Sequence, residues 1–149
     1  YVYDAATLLA RATDLLDARA SDGRGFDVVR YAQKANPNLA LLELLRKRGV
    51  LVDAVSSGEL VRARSAGYAP HQIQFCADLF DRDTLARLDA ERFEVNVGSP
   101  DMLEQLAAAR HATRTVTLRV NPGFGHGHDA KVSTGGSTSK HGIWHEALP

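Results

Sequence analysis

Cysteine is almost missing from these 149 residues: Cys76 stands alone. A single thiol excludes an intramolecular disulfide framework and fits a reducing compartment. An excess charge of either sign is missing as well. The 18 Lys and Arg balance 18 Asp and Glu, so no global field recruits nucleic acid or an anionic membrane surface. No apolar run approaches the roughly 20 residues of a membrane-spanning helix. The opening Tyr1-Val2-Tyr3-Asp4 has neither the basic nor the apolar region of a signal peptide, and it lacks a methionine, as the edge of a fragment would. These absences point to a cytoplasmic protein. What remains, 44% apolar and 24% charged residues, is ordinary for a globular domain with room for a core.

What is present is a repeat. A first helix is expected over 5–20, with Asp4 as N-cap and Leu8, Leu9, Ala12, Leu15 and Leu16 on one face. From Phe26 onward, strands expected at 26–33, 50–55, 73–77, 93–97 and 115–120 alternate with helices at 37–48, 57–66, 82–90 and 100–110. Strand starts recur every roughly 20 to 24 residues, the length of a strand, a helix and two short loops. The helix ends are chemically marked. Asn36 before Pro37, Ser56 with Glu59, and Ser99 before Pro100 suit N-termini. Gly49 and Gly67 suit left-handed C-terminal caps. Strands alternating with helices mean an α/β fold with a parallel sheet. The regular unit and the lack of a Gly-rich first turn favour a TIM-type (β/α)8 barrel over a doubly wound sheet. That barrel needs eight units and typically about 250 residues, and about five βα units are visible. The expected fold is therefore the amino-terminal part of such a barrel, incomplete as given, with an open sheet as the alternative.

Chemistry concentrates where strands end. Lys34 follows the first strand, and in parallel α/β folds the carboxyl ends of strands carry the site. Partial desolvation between Ala32 and Ala35 would free its amine for a Schiff base; the bland alternative is a surface lysine in a βα loop. Asp53, between Val52 and Ala54, must pair or face a cavity. It could pair with Lys34 across neighbouring strands, or bond a loop backbone instead. Arg119, between Leu118 and Val120, needs a carboxylate, phosphate or cofactor oxygen as partner, structural use being the commoner outcome. Residues 121–140 carry five glycines with His126, His128 and several hydroxyls, a polar stretch suited to an active-site lid. Its Gly123-Phe124-Gly125-His126-Gly127 run fits a dinucleotide fingerprint poorly, because the third glycine is misplaced and no helix follows. His126 and His128 lack the further ligands of a metal site, so no metal is expected. Cys76, without a motif-spaced histidine, reads as a packed thiol.

These residues meet a known pattern. The run from Tyr31 to Gly49 resembles the pyridoxal-phosphate attachment signature of the ornithine/diaminopimelate/arginine decarboxylase family: an aromatic, a small residue, any residue, Lys, a small residue, Asn, spaced aliphatics and a Gly. Val52-Asp53-Ala54-Val55-Ser56-Ser57-Gly58-Glu59-Leu60 resembles the family's second-strand motif. The run from Leu118 to His128, with Thr134-Gly135-Gly136 and Ser139-Lys140-His141-Gly142-Ile143-Trp144, is similar to the diaminopimelate branch of proteobacterial type. The three motifs are colinear and span essentially the whole chain.

The resemblance implies a fold-type-III enzyme dependent on pyridoxal 5'-phosphate, with a β/α barrel followed by a β-domain. It implies that Lys34 is catalytic and holds the cofactor. Asp53 would be the acidic residue near that lysine, Glu59 a residue opening the second helix, and Arg119 the arginine near the cofactor ring. Loop 122–138 would cover the site. Residues 1–3 would be a strand belonging to the β-domain, and 4–149 the partial cofactor-binding barrel. The implied reaction decarboxylates meso-diaminopimelate at its D-centre to L-lysine, in a homodimer acting on a small amino acid, with no nucleic acid or membrane partner. The family's phosphate-binding and pyridine-pairing motifs would lie past Pro149, so little or no turnover is expected of this chain alone. The alternatives are a related ornithine or arginine decarboxylase, a racemase-like protein, or a non-catalytic carrier of the same cofactor.

Overall fold

The computed structural model describes residues 2–108, 115–125, 134–137 and 139–148. They fall into two compact units, Tyr1–Phe75 and Cys76–Pro149. Among the described residues no helix is long and apolar enough to cross a membrane.

In the first unit, Val2 and Tyr3 are exposed and lie in no strand. Asp4 caps α1 (Ala5–Leu16) by accepting from the Thr7 amide. The helix stops at Leu16 rather than Ala20, where its apolar face ends, and an Arg19–Gly25 bridge closes the turn that follows. Strand β1 covers only Arg30–Ala32 of the expected 26–33. Its neighbour β2 (Leu51–Ala54) starts opposite Arg30. Residues 26–28 therefore have no ladder partner there, and Phe26 and Val28 stay exposed. The chain then leaves the sheet in a 3-10 turn, Gln33–Ala35.

Helix α2 (Leu39–Lys47) begins later than the Asn-Pro signal suggests. Asn38, not Asn36, is the N-cap and accepts from the Ala40 amide, while the Asn36 side chain accepts from the Asn38 amide. Gly49, at φ 91°, turns the chain back into β2. Ser56 caps α3 (Ser57–Ser65) as expected, but the Glu59 carboxylate reaches one residue further back, to the Val55 amide at 2.8 Å. Gly67, at φ 88°, ends that turn against the Arg46 guanidinium. Strand β3 (Ile73–Ala77) pairs with β2 in parallel, and β2 with β1. Leu42, Leu45, Val52, Ala54, Leu60, Ala63 and Ile73 fill the space between helices and strands. Buried Tyr68 donates its hydroxyl to the Leu42 carbonyl, and burial pushes its pKa far up.

In the second unit, Asp81 caps α4 (Arg82–Ala90), and Ser99 with Pro100 opens α5 (Pro100–Ala107). The expected continuation of α5 to 110 runs into residues outside the described set. Between these helices, β4 (Glu94–Val97) pairs in parallel with β5 (Thr117–Leu118). The expected fifth strand, 115–120, is divided. After Leu118 the chain changes partner, and β6 (Val120–Asn121) pairs in parallel with β7 (Ile143–Trp144). Arg119 is the switch point: its amide donates to Val97 and its carbonyl accepts from Ile143. Asn121 then clasps both stems of the glycine-rich loop. Its Oδ1 accepts from the Gly123 and Gly136 amides, and its Nδ2 donates to the Gly136 carbonyl, all at 3.0–3.1 Å.

Candidate active site

Lys34 sits in the middle of the 3-10 turn at the carboxyl end of β1, with an exposed side chain. The turn is pinned on both flanks. Gln33, fully buried, donates Nε2 to the Asp53 carbonyl at 3.4 Å. Tyr31 donates its hydroxyl to the Asn36 carbonyl at 3.2 Å, closing the loop beyond the lysine. Ala32, two residues before Lys34, stands beside Asp53 in the β1–β2 register, and the Lys34 charge reaches the Asp53 carboxylate.

The expected Lys34–Asp53 pairing takes the form of a field and not a contact: among the described residues no ion pair joins them. Burial raises the Asp53 pKa, and the charges of Arg30 and Lys34 draw it part of the way back. Its Oδ1 is buried without a hydrogen-bond partner, as is Gln33 Oε1. Buried acceptors are normally satisfied. An unsatisfied carboxylate oxygen beside an exposed amine is a place prepared for a proton or for a donor on a ligand. The residues present thus fit a polar aromatic aldehyde: an amine to bond it and an acid beside that amine.

Arg119, in the second unit, is paired. Its Nη1 lies 3.0 Å from Asp78 Oδ1, and Asp78 Oδ2 contacts His141 Nδ1. Sequence reasoning left Asp78 and His141 without a role. The signal for Asp78 was its place directly after β3, the same place that marked Lys34 after β1. Cys76 is half-buried and its Sγ accepts from Asn96 Nδ2 at 3.1 Å, a packed thiol. His126 and His128 lie outside the described residues. Among those described, no group of three His, Cys, Asp or Glu could hold a metal ion.

A lysine on the turn after the first of several parallel βα units suits the barrel half of pyridoxal-dependent enzymes, and comparison with known proteins shows that class. The family described as pyridoxal-dependent decarboxylase, pyridoxal binding domain, matches residues 17–149, and this chain belongs to it. Diaminopimelate decarboxylase of Streptomyces coelicolor is 51% identical over 99% of this chain and 32% of its own length. The Escherichia coli K12 protein of the same name is 48% identical over 100% of this chain and 34% of its own length. A crystal structure of diaminopimelate decarboxylase superposes with a TM-score of 0.80 at 47% identity, covering 95% of this chain and 32% of that one. The Helicobacter pylori diaminopimelate decarboxylase, complexed with L-lysine, gives 0.82 at 25% identity over 95% of this chain and 36% of that one. The fold is accordingly the amino-terminal part of a β/α barrel, and the chain spans about a third of the length of the curated relatives it matches.

Proposed function

We propose that this chain is the cofactor-holding part of a longer decarboxylase that converts meso-diaminopimelate to L-lysine, with Lys34 as the residue that bonds pyridoxal phosphate. The observation that carries it is exposed Lys34 on the turn after β1, within electrostatic reach of a carboxylate on β2 whose Oδ1 is buried and unsatisfied. The names of the relatives support the substrate. When bound, pyridoxal phosphate supplies an aldehyde for amines and a ring that takes up the electron pair left as carbon dioxide departs.

The chain's own residues prepare that chemistry. Gln33 and Tyr31 fix the turn, so Lys34 meets its partner in one geometry. Asp53, with a pKa raised by burial, can hold a proton at Oδ1 or accept one from a ligand group beside the lysine. Arg119, tied to Asp78, brings a fixed cation to a second strand end. A β-domain that takes up residues 1–3, a homodimeric assembly and a cytoplasmic location belong to the same proposal. The β-domain is supported by the share of the relatives' length beyond this chain.

Borohydride reduction of the full-length protein with pyridoxal phosphate, followed by peptide mapping, tests the assignment. The label is expected on Lys34, and Lys34→Ala is expected to abolish both labelling and carbon dioxide release. A label on Lys131 or Lys140 sinks it.

A further inference from the structure

The Asp78 cluster has a geometry that a simple surface ion pair does not need. Asp78 is the first residue past β3 and Arg119 the first past β5, and each side chain in the cluster, His141 included, is 27–30% exposed. The groups are shielded enough to hold one another and open enough to be reached.

Two glycines make the room. A Cβ on Gly98 would fall 2.8 Å from Asp78 Oδ1. A Cβ on Gly142 would fall 3.0 Å from the Arg119 carbonyl and 2.9 Å from the Asn121 amide, at a φ of 81°. Gly142 lets the segment bearing His141 press against the backbone of Arg119, where the Ile143 amide bonds the Arg119 carbonyl at 2.7 Å. Ser139 Oγ accepts from the His141 amide at 3.2 Å and fixes the other side. Backbone and side chain thus hold the same three residues.

The chemistry of the contacts sets the histidine's state. Asp78 accepts from a guanidinium that stays charged, so its carboxylate is an acceptor on both oxygens. His141 Nδ1 must then be the donor, and in the neutral ring Nε2 carries the lone pair. We infer that Asp78 is a positioning residue: it holds Arg119 in one orientation and His141 in the Nδ1–H tautomer for the reaction proposed above. This inference rests on that functional reading.

The test uses the full-length protein with pyridoxal phosphate. Asp78→Asn keeps the shape and an acceptor for Arg119, but an amide facing His141 donates and so reverses the tautomer. Lys34 is expected to capture cofactor as in the wild type, while kcat for decarboxylation falls about tenfold or more and KM changes less, an interaction used mainly after substrate is bound. The ring-nitrogen resonances of His141 in 15N-histidine-labelled protein are expected to exchange their protonated position, and Asp78→Glu to recover part of kcat. The Asp78→Asn, His141→Gln double variant is expected to be no slower than Asp78→Asn alone, because both act on one unit.

Should Asp78→Asn fold poorly, Gly98→Ala displaces the same carboxylate from a backbone conformation open to alanine. It is expected to lower kcat with capture at Lys34 retained. An unmoved His141 resonance with unchanged kcat, or losses that simply add in the double variant, overturns the inference. A wild-type protein that captures nothing at Lys34 overturns the functional reading first, and the inference with it.

Discussion

Lys34 and Asp53 differ in what the fold does to them. The lysine is left exposed on a pinned turn, while the aspartate bears the cost of burial. Because burial holds the Asp53 pKa above its ordinary value, the folded state binds that proton more tightly than the unfolded chain does. Stability then falls as pH rises from the unfolded value, about 4, toward the raised folded value, and the loss is complete above it. Asp53→Asn removes the ionisation. In the cofactor-free full-length protein, its thermal midpoint is expected to exceed that of the wild type at pH 7 and to match it near pH 3. The same variant is expected to retain less cofactor at Lys34, a stability gained at the expense of a working site. A midpoint difference that is constant with pH would show that Asp53 is not ionising under a burial penalty. At this scale the sequence was most informative about Lys34, whose place after a β-rich run and before a helix was legible. Asp78 and His141 were not, because their significance is a contact between residues far apart in the chain.

Among the elements, the best-read features were those set by local chemistry. Asp4, Ser56 and Ser99 cap helices through their own side chains, and a cap needs only a few neighbouring residues to act. Strands were read less well, since a strand exists only where another lies beside it. Phe26 and Val28 have high strand propensity and no ladder partner, and 115–120 reads as one strand but serves two pairings. Helix α2 shows a local rule with two solutions. Asn36-Pro37-Asn38 offers two possible caps, and bonding the Asn38 amide to Asn36 leaves Asn38 to cap the helix. Asn38→Ala is therefore expected to lower stability by about 1 kcal/mol, the ordinary worth of an N-cap, and Asn36→Ala by less, measured as shifts in thermal midpoint. The opposite ranking would return the helix start to Pro37.

For the molecule as a whole, the balanced charge and the single thiol limited the partners without identifying a reaction. The βα period and the count of units gave the fold class and showed that it was partial. Motif order then gave the family. On the proposed reading this chain holds one side of the chemistry, a lysine, an acid and a fixed arginine, and about two thirds of the length of its relatives is unmatched. The isolated chain is expected to release no measurable carbon dioxide from meso-diaminopimelate in a labelled-carboxyl assay in which the full-length protein is active. Turnover by the isolated chain would mean that these few groups suffice.

The Asn121 clasp has a consequence for how such a chain can change over evolutionary time. By bonding Gly123 on one side and Gly136 on the other, one side chain brings the two ends of the loop together. Lengthening the residues between the ends then costs only the slow logarithmic entropy of a larger closed loop, about 0.6 kcal/mol per doubling. The stretch between Gly123 and Gly136 can then change in length at small cost, so long as Asn121 and its two glycine partners remain as the frame around it.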